Sequence, residues 1–292
     1  MLISEVSRIT SLTKKAIEYY AEQRLVFPTI LENGYRDFNK DDVECLSKIY
    51  ILRKLELSTE EIRTVLADKT GYSLQKLSVQ KELKLQREKI KKTILDKLSC
   101  GKSYTEISMD LKVLEQGVNI SEKLLEVFPG YYGRFICMHF ARFLNEPITT
   151  EEQQTAYQEI IEFLDNTSSL ELPEDLREFL NEKTMYIGTD EIGTMLENTK
   201  KSIDHFDQFL TENKEWLEEY LLYKQSEAYK NSSVYKIQEI LKAFYKTSGY
   251  YNIFIPTMKK LSASYSEYCK QMEIANEKLL SHYPQIINLS YI

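Results

Sequence analysis

Residues that interrupt helices are scarce in this chain: nine glycines and six prolines are spread over 292 residues. Apolar residues recur mostly at helical spacing, and alternating segments rich in Val or Thr are nearly absent. A hairpin is indicated only around Asn33-Gly34, a pair that supplies the positive φ angles of a tight turn. The sequence therefore predicts a mainly α fold.

The helical pattern divides into segments of different character. We expect helices at about residues 3–9, 13–22, 39–55 and 58–67, followed by a long polar helix at about 73–98. About six further helices are predicted, with breaks at Pro129-Gly130, Pro147, 168–173, Gly188, Asn231-Ser232 and Gly249. This organisation predicts three parts, residues 1–70, 71–100 and 101–292.

Capping residues support the predicted helix starts. Thr13 precedes the second helix, and Asn39 stands three positions before a carboxylate. Ser58, followed by Glu61, matches the capping-box pattern. These caps fix where the helices begin and therefore keep the loops between them short.

Charge is distributed unevenly along the chain. Residues 1–98 carry a net charge of +4, whereas the remainder carries −11. A basic N-terminal part suits contact with a polyanion. No signal peptide and no apolar stretch of membrane-spanning length is evident, and the four cysteines lie far apart. We therefore expect a cytoplasmic protein without a membrane partner and with reduced cysteines.

The second predicted helix has an outward cationic face. Ile17 and Tyr20 can face inward, which leaves Lys14, Lys15 and Tyr19 outward at the front of the helix. Such a helix can enter a major groove, and its N-terminus adds a positive dipole end. Taken singly, the lysines are more typical of a solvated helix end, the tyrosine pair of core packing and the hairpin of an ordinary turn.

The order and spacing of these features resemble the MerR (mercury-resistance regulator) family of winged helix-turn-helix proteins over residues 3–66. The segment 13–20, TKKAIEYY, resembles the family's S-x-R-T-L-R-Y-Y recognition helix, and 32–38, ENGYRDF, resembles its wing ENGYRLY. Residues 3–7, 25–28, 41–43 and 57–62 resemble IGELA, GLLxP, DDL and FSLEEI. The match covers about a fifth of the chain.

The resemblance implies a transcription regulator that binds double-stranded promoter DNA as a homodimer and acts on RNA polymerase indirectly, by distorting the promoter when an effector binds. It assigns DNA contacts to Thr13, Lys14, Lys15, Tyr19, Tyr35 and Arg36. Tyr20 matches a tyrosine that either packs or touches phosphate. Arg53 and Lys54 lie where backbone contacts are added.

Some positions depart from the family pattern. Glu18 stands where arginine is common, which removes a cationic contact and adds repulsion. Ser11, Arg24 and Glu56 replace usual glycines, so altered turns are expected there. These departures predict weaker, more salt-sensitive DNA binding than is typical of the family, or a compensating contact elsewhere.

The long polar helix carries a narrow apolar seam, made of Leu74, Leu77, Leu83, Ile90, Ile94 and Leu98. This spacing is consistent with a two-stranded coil, and a lone surface helix is the alternative. The family resemblance implies an antiparallel coil between two copies, which gives a nearly palindromic operator.

The C-terminal part, residues 101–292, holds 16 of the 21 tyrosines and the single tryptophan. Aromatic walls with a few polar groups suit organic ligands, so we expect a small organic effector in a helical sensing domain. The candidate effector-binding residues are Tyr132, Phe135, His139, Phe143, Trp216, Tyr245 and Tyr250. The alternatives are that these side chains form the helical core, or that the domain docks a protein and binds no small ligand.

Catalytic and metal-binding patterns are not evident. The sequence contains no GxSxG, HExxH, P-loop or dinucleotide fingerprint, and its three histidines lack ligand-like spacing. The resemblance implies that a metal sensor would carry cysteines near the end of the dimer helix, where Cys100 stands without a second cysteine nearby. We expect no enzyme activity, no catalytic residues, no metal and no cofactor. A single-thiol redox switch at Cys100 and an enzyme fused to the DNA-binding head are the less favoured alternatives.

Overall fold

Helices predominate, as predicted, in the computed structural model, which describes residues 1–68 and 71–289. The chain divides into two units, Met1–Leu74 and Gln75–Ile292. The sequence placed its first boundary at residue 70 and treated 71–100 as a separate dimerisation segment. That separate role stays a prediction.

The first unit contains four helices and a small hairpin among its described residues. The elements are α1 (Ile3–Thr10), α2 (Lys14–Glu22), β1 (Thr29–Ile30), β2 (Arg36–Asp37), α3 (Lys40–Lys54) and α4 (Thr59–Ala67). The strands are antiparallel, with Thr29 opposite Asp37 and Ile30 opposite Arg36. The order and bounds of these elements agree with the sequence prediction to within a few residues.

Side-chain caps begin these helices where the sequence predicted. The Thr13 hydroxyl accepts the Ala16 N–H at 3.2 Å. Asn39 and Ser58 each form a capping box, with Asp42 and Glu61 respectively. Each cap pairs backbone N–H groups that have no partner within the helix and contributes about 1 kcal/mol.

Asp42 also ties the hairpin region to α3, a role that sequence analysis did not assign to it. Its carboxylate is buried and accepts the N–H groups of Phe27 and Asn39, at 3.1 and 3.0 Å. Both bonds join backbone on either side of the hairpin to the first turn of α3. Phe38, fully buried beside them, anchors the end of the hairpin in the core.

The second unit is helical throughout its described residues. Its elements are α5 (Tyr72–Ser99, which starts at the unit boundary), α6 (Tyr104–Val127), α7 (Gly130–Ala141), α8 (Glu151–Asn166), α9 (Glu174–Thr184), α10 (Thr189–Asp204), α11 (Phe206–Glu212), α12 (Lys214–Gln225), α13 (Glu227–Lys230), α14 (Ser233–Thr247), a π-helical turn (Tyr250–Phe254), α15 (Ile255–Leu261), α16 (Ala263–His282) and a 3-10 turn (Pro284–Leu289).

The second unit is divided more finely than the predicted six helices. The predicted breaks are present, but helices also end near His205, Asn213, Ser226 and Ser262. Ser226 and Ser262 start new helices by accepting N–H groups three residues ahead, those of Tyr229 and Tyr265. No glycine or proline marks these four positions, so a search for helix breakers did not reveal them.

One core holds most of the second unit together. It draws its buried side chains from α6, α7, α8, α14, the π-helical turn, α15 and α16. Gly133 on α7 lies so close to the chain before it that a Cβ there would stand 1.6 Å from the Phe128 carbonyl oxygen. The α6–α7 corner therefore requires glycine at this position.

Part of the predicted seam of α5 packs within its own chain. Leu83 and its neighbour Val79 are buried against Leu125 of α6 and Cys137 of α7. Leu77, Ile90 and Leu98 are half-buried, Ile94 is buried and Leu74 is exposed. Leu85 and Leu95, which the seam did not include, are exposed along the helix.

In the part of the chain that the structure describes, no helix combines the length and the apolar character needed to cross a bilayer.

Candidate nucleic-acid interface and aromatic clusters

The front of α2 presents the cations that the sequence analysis singled out. Ile17 and Tyr20 are buried, whereas Lys14 and Lys15 are exposed at the first turn. Within residues 1–68 and 71–289, neither lysine is joined to a carboxylate. Their charges add to the positive end of the helix dipole, so this end of α2 can hold a phosphate.

The turn between α1 and α2 is held by local hydrogen bonds. Ser11 adopts a left-handed conformation, with φ 58°. The Ser7 hydroxyl donates to the Leu12 carbonyl at 2.7 Å, and the buried Thr10 hydroxyl donates to the Val6 carbonyl at 2.8 Å. Sequence analysis missed the roles of Ser7 and Thr10, although hydroxyl residues beside a helix end are a usable signal.

The tyrosine pair of α2 is split between surface and core. Tyr19 is 44% exposed, and its hydroxyl lies 3.3 Å from the Thr59 hydroxyl of α4. Tyr20 is 6% exposed and meets Tyr19 edge to face at 5.5 Å. Packing therefore accounts for Tyr20, and only a small fraction of its surface remains for a phosphate.

The hairpin, residues 29–37, forms the predicted wing with a different turn. Leu31 N–H donates to the Tyr35 carbonyl and Gly34 N–H to the Leu31 carbonyl, each at 2.8 Å. Of the Asn-Gly pair, Gly34 alone takes a positive φ, +80°, so the loop spans three residues and not two. Asn33 instead accepts the Tyr35 N–H with its side chain, at 3.1 Å.

The two candidate DNA-contacting residues of the wing differ in how far they are exposed. Tyr35 is 64% exposed at the loop, and Arg36 is half-buried on β2. No carboxylate pairs with Arg36 among the described residues. Tyr35 can therefore reach a neighbouring surface freely, while Arg36 offers a cation from a fixed strand position.

Arg53 and Lys54, at the end of α3, are engaged within the domain. The Arg53 guanidinium donates to the Leu57 carbonyl at 2.6 Å, across the turn in which Glu56 adopts φ 64°. The Lys54 ammonium lies 5.6 Å from the centre of the Tyr50 ring. Arg53 thus stabilises the α3–α4 turn, and both side chains remain exposed at its surface.

The candidate effector residues fall into separate groups in the second unit. The Tyr245 and Tyr250 rings lie 4.5 Å apart, tilted by 30°, beside Phe128, and Tyr132 packs against the same core. Burial raises the pKa of Tyr132 to about 12. Close ring packing accounts for this first aromatic cluster as core of the domain.

A second aromatic cluster surrounds His139. Its ring makes edge contacts with Phe143 at 5.5 Å and with Tyr268 at 5.5 Å. Burial, with a smaller contribution from the nearby Arg142 charge, lowers the pKa of His139 to about 4. The imidazole is therefore neutral at pH 7, and its ring acts as part of an aromatic wall.

Phe135 and Trp216 belong to neither cluster. Phe135 lies 6.2 Å from Tyr131 on another side of α7. Trp216 on α12 is 56% exposed and stacks on Tyr220 at 5.3 Å with nearly parallel planes. The predicted set is thus not brought to one place in the fold. That it binds an effector stays a prediction.

An open groove of about 650 Å³ lies elsewhere in the second unit, between the α10–α11 junction and α16. Its walls are formed by residues 203–208 and by Gln271, Ile274, Ala275 and Lys278. An ion pair between Lys278 and Asp207 borders it. This groove is not evident from the sequence, because its residues come from segments far apart in the chain.

No three His, Cys, Asp or Glu side chains form a metal-binding group within residues 1–68 and 71–289. Cys100 is exposed in the turn after α5, and Cys45 is half-buried with its thiol against the Leu25 carbonyl. Cys137 is buried, which raises the pKa of its thiol to about 12.

Comparison with known proteins places the first unit in a family. Residues 1–69 match the family model described as MerR HTH family regulatory protein. HTH-type transcriptional regulator CueR of Yersinia pestis is 38% identical over 68 residues, which are 23% of this chain and 49% of that protein. HTH-type transcriptional regulator HmrR of Rhizobium leguminosarum bv. viciae is 40% identical over 67 residues, 23% of this chain and 52% of that protein.

A third relative, CueR of Escherichia coli O157:H7, is 40% identical over 62 residues, 21% of this chain and 46% of that protein. The chain spans about half the length of the curated relatives it matches. No solved structure gives a significant match. Residues 1–69, with their capped α2 and their wing, thus form a helix-turn-helix domain that matches the MerR family.

Proposed function

We propose that this protein binds promoter DNA as a homodimer and regulates transcription in response to a small organic effector held by its second unit. The observation that carries the DNA-binding part is the pair of exposed, unpaired cations on the first turn of α2, in a domain of MerR type. Lys14 and Lys15 would meet phosphates, and the exposed face of α2 would enter the major groove.

The wing would make the second contact of each head. Tyr35 and Arg36 stand beyond α2 in the chain on a short, well-fixed hairpin, and a neighbouring phosphate or minor groove is within the usual reach of such a wing. Tyr19 adds a hydroxyl at the exposed surface of α2, and Thr13 stands at its N-terminus. These contacts orient the domain on the duplex.

A second copy would pair along α5. Leu74, Leu85 and Leu95 are exposed on this helix, at spacings of 11 and 10 residues that keep them on one side of it. Burying them against a second copy removes apolar surface from water. A twofold dimer would place its two DNA-binding domains on successive half-sites, so the operator would be a near-palindrome. A change in dimer geometry would distort the promoter DNA to which RNA polymerase binds.

The test uses the full chain and a pool of random duplexes. Selection at low ionic strength should enrich a near-palindromic sequence, and light scattering should give the mass of two chains. Affinity for the enriched duplex should fall steeply with salt, because phosphate contacts release counterions. A monomer in solution, or a pool from which no duplex is retained, would overturn the proposal.

A second function for the second unit, docking of another protein, is favoured by the exposed aromatic face of α12. Trp216, Tyr220 and Tyr223 are exposed there on one side of the helix. Such surface on one helix is typical of a protein-binding site. A thermal-shift screen of the full chain distinguishes the two functions. Organic compounds that raise the melting temperature favour an effector, whereas a rise that only added proteins produce favours docking.

A further inference from the structure

Arg134 on α7 is a buried cation with an incomplete set of partners. The residue is 4% exposed, and its Nη1 donates to the Ile187 carbonyl at 2.7 Å. Its Nε and Nη2 groups are shielded from solvent, and no acceptor among the described residues reaches them. Two charged N–H donors of one side chain are thus left without a protein partner.

Within residues 1–68 and 71–289 no ion pair joins Arg134 to an acid. Glu191, which follows the same turn as Ile187, accepts the Gly188 N–H at 2.9 Å instead. Burial lowers the pKa of Arg134, and the neighbouring Tyr131 hydroxyl opposes this shift only in part. Arginine nevertheless stays protonated, so Arg134 is a buried positive charge that no acidic side chain among the described residues pairs with.

The two free donors form one binding edge. Nε–H and one Nη–H of a guanidinium point the same way along one side of the planar group, the arrangement that receives both oxygens of a carboxylate or two oxygens of a phosphate. Nη1 is occupied by Ile187, so the remaining edge is Nε with Nη2. Buried polar groups are rarely left without a partner in native proteins, and those that are often belong to ligand sites.

Aromatic side chains favour an organic anion over an inorganic one. The Tyr131 ring centre lies 5.8 Å from the guanidinium carbon, and Phe135 stands 6.2 Å from Tyr131. The turn that supplies the Ile187 carbonyl is superficial, since its Met185 and Tyr186 are both exposed. A ligand can therefore reach Arg134 when this turn moves outward, and can lay an apolar body against the rings.

We propose that Arg134 binds the carboxylate of a small organic acid at a site between α7 and the turn at residues 185–188. This inference rests on the proposed sensing function of the second unit and names the chemical class of its effector. Because α10 begins directly after the turn, at Thr189, ligand entry displaces the start of α10. The site borders the first aromatic cluster, since the Tyr131 ring meets that of Tyr132 edge to face at 5.8 Å.

The experiment measures melting temperature and calorimetric binding of the full chain with acetate, benzoate, benzamide and inorganic phosphate as probes. We expect benzoate to bind and raise the melting temperature, acetate to do so more weakly, and benzamide to have no effect. A phosphate response without a benzoate response would overturn the carboxylate assignment. No response to either carboxylate at tens of millimolar would overturn the site.

Substitutions tie the response to the guanidinium edge. Arg134→Lys keeps the charge but loses the paired donors, so benzoate affinity should fall at least about tenfold. Arg134→Met should abolish binding, and it should fold at least as stably as the parent without ligand, since it removes an unpaired buried charge. Arg177→Met, at an exposed arginine of α9, is the matched control and should bind benzoate normally. Equal benzoate binding by Arg134→Lys and the parent would contradict the proposal.

Affinity for the selected duplex, measured in parallel without ligand, separates this inference from the proposed function. Loss of carboxylate binding with DNA binding intact would overturn the Arg134 site alone. Absence of DNA binding in a chain that binds benzoate through Arg134 would overturn the regulatory role and leave the site standing.

Discussion

Helices α2 and α7 both carry cations, but the surroundings of these cations are opposite in the two helices. The α2 helix buries Ile17 and Tyr20 alone and leaves Lys14 and Lys15 in solvent. The α7 helix is buried on several sides and encloses Arg134. An exposed cation can bind any phosphate that approaches it, whereas an enclosed cation can bind only a ligand that fits its surroundings. The packing around a charged side chain therefore determines which ligands it can bind.

Of the substitutions that test this comparison, one at the tight corner before α7 should have the largest effect on stability. In Gly133→Ala the new Cβ would meet the Phe128 carbonyl oxygen at 1.6 Å, so α7 must shift and its buried face repack. We expect a loss of about 3 kcal/mol or more in the free energy of unfolding, measured by denaturant titration. Gly193→Ala in α10, where a Cβ meets nothing within 4 Å, should instead gain about 0.5 to 1 kcal/mol. Similar losses for both variants would contradict the close approach.

The buried wall of α7 also predicts a pH dependence of the free energy of unfolding. Burial holds the pKa of His139 at about 4, below its value of 6.5 in an unfolded chain. The unfolded state thus takes up a proton between these values while the folded state does not, so stability falls as the pH drops below 6.5. At pH 5 the loss from this group is about 2 kcal/mol.

Replacing His139 with Gln should flatten the pH dependence of unfolding between pH 7 and 5, as followed by denaturant titration at each pH. His282→Gln, at an exposed histidine, serves as the control and should keep the parent slope. An unchanged slope in His139→Gln would show that the imidazole is protonated in the folded protein.

The exposed cations of α2 should affect DNA and leave the fold unchanged. Lys14→Ala and Lys15→Ala should each weaken binding to the selected duplex by about 1 kcal/mol at low salt and lower the salt slope by about 1. Melting temperatures should stay close to that of the parent, since both side chains are exposed and unpaired. Lys214→Ala in α12 should change neither quantity. Equal affinities for all three variants would remove α2 from the interface.

The two helices also differ in how far the sequence could predict them. Caps, breaker residues and the wing are local, so Thr13, Ser58 and Gly34 could be identified from neighbouring residues alone. The Arg134 guanidinium bonds to the carbonyl of Ile187, 53 positions away, and no local sequence pattern predicts that contact. The aromatic residues of the second unit pose the same difficulty, because composition predicted their burial and not their separation into clusters.

Replacing Glu18 tests whether the charge at this position of α2 affects the affinity for DNA. It is exposed next to the cations of the first turn, and it stands where arginine is common in the family the sequence resembles. Glu18→Arg should tighten duplex binding by about 1 kcal/mol in a salt-matched titration, because it exchanges a repulsive charge for an attractive one. Glu277→Arg in α16 makes the same change in net charge and should have no comparable effect. Equal gains would mean that total charge and not position decides affinity.

The smallest effect concerns the turns that position α2 and α4. Ser11, Arg24 and Glu56 have φ of 58°, 55° and 64°, and they are the three non-glycine residues in the described chain with positive φ. They occupy the positions where the family resemblance expects glycine, so the turns keep their left-handed shape at some cost in strain.

Glycine at each of these positions should relieve that strain, offset in part by the greater freedom of the unfolded chain, for a net gain of about 0.5 kcal/mol per site in thermal unfolding. Glu178→Gly, at an exposed position in the middle of α9, provides the contrast and should lose about 1 kcal/mol, because no backbone strain is relieved there. If all four variants lost stability alike, the left-handed turns would carry no strain that glycine relieves.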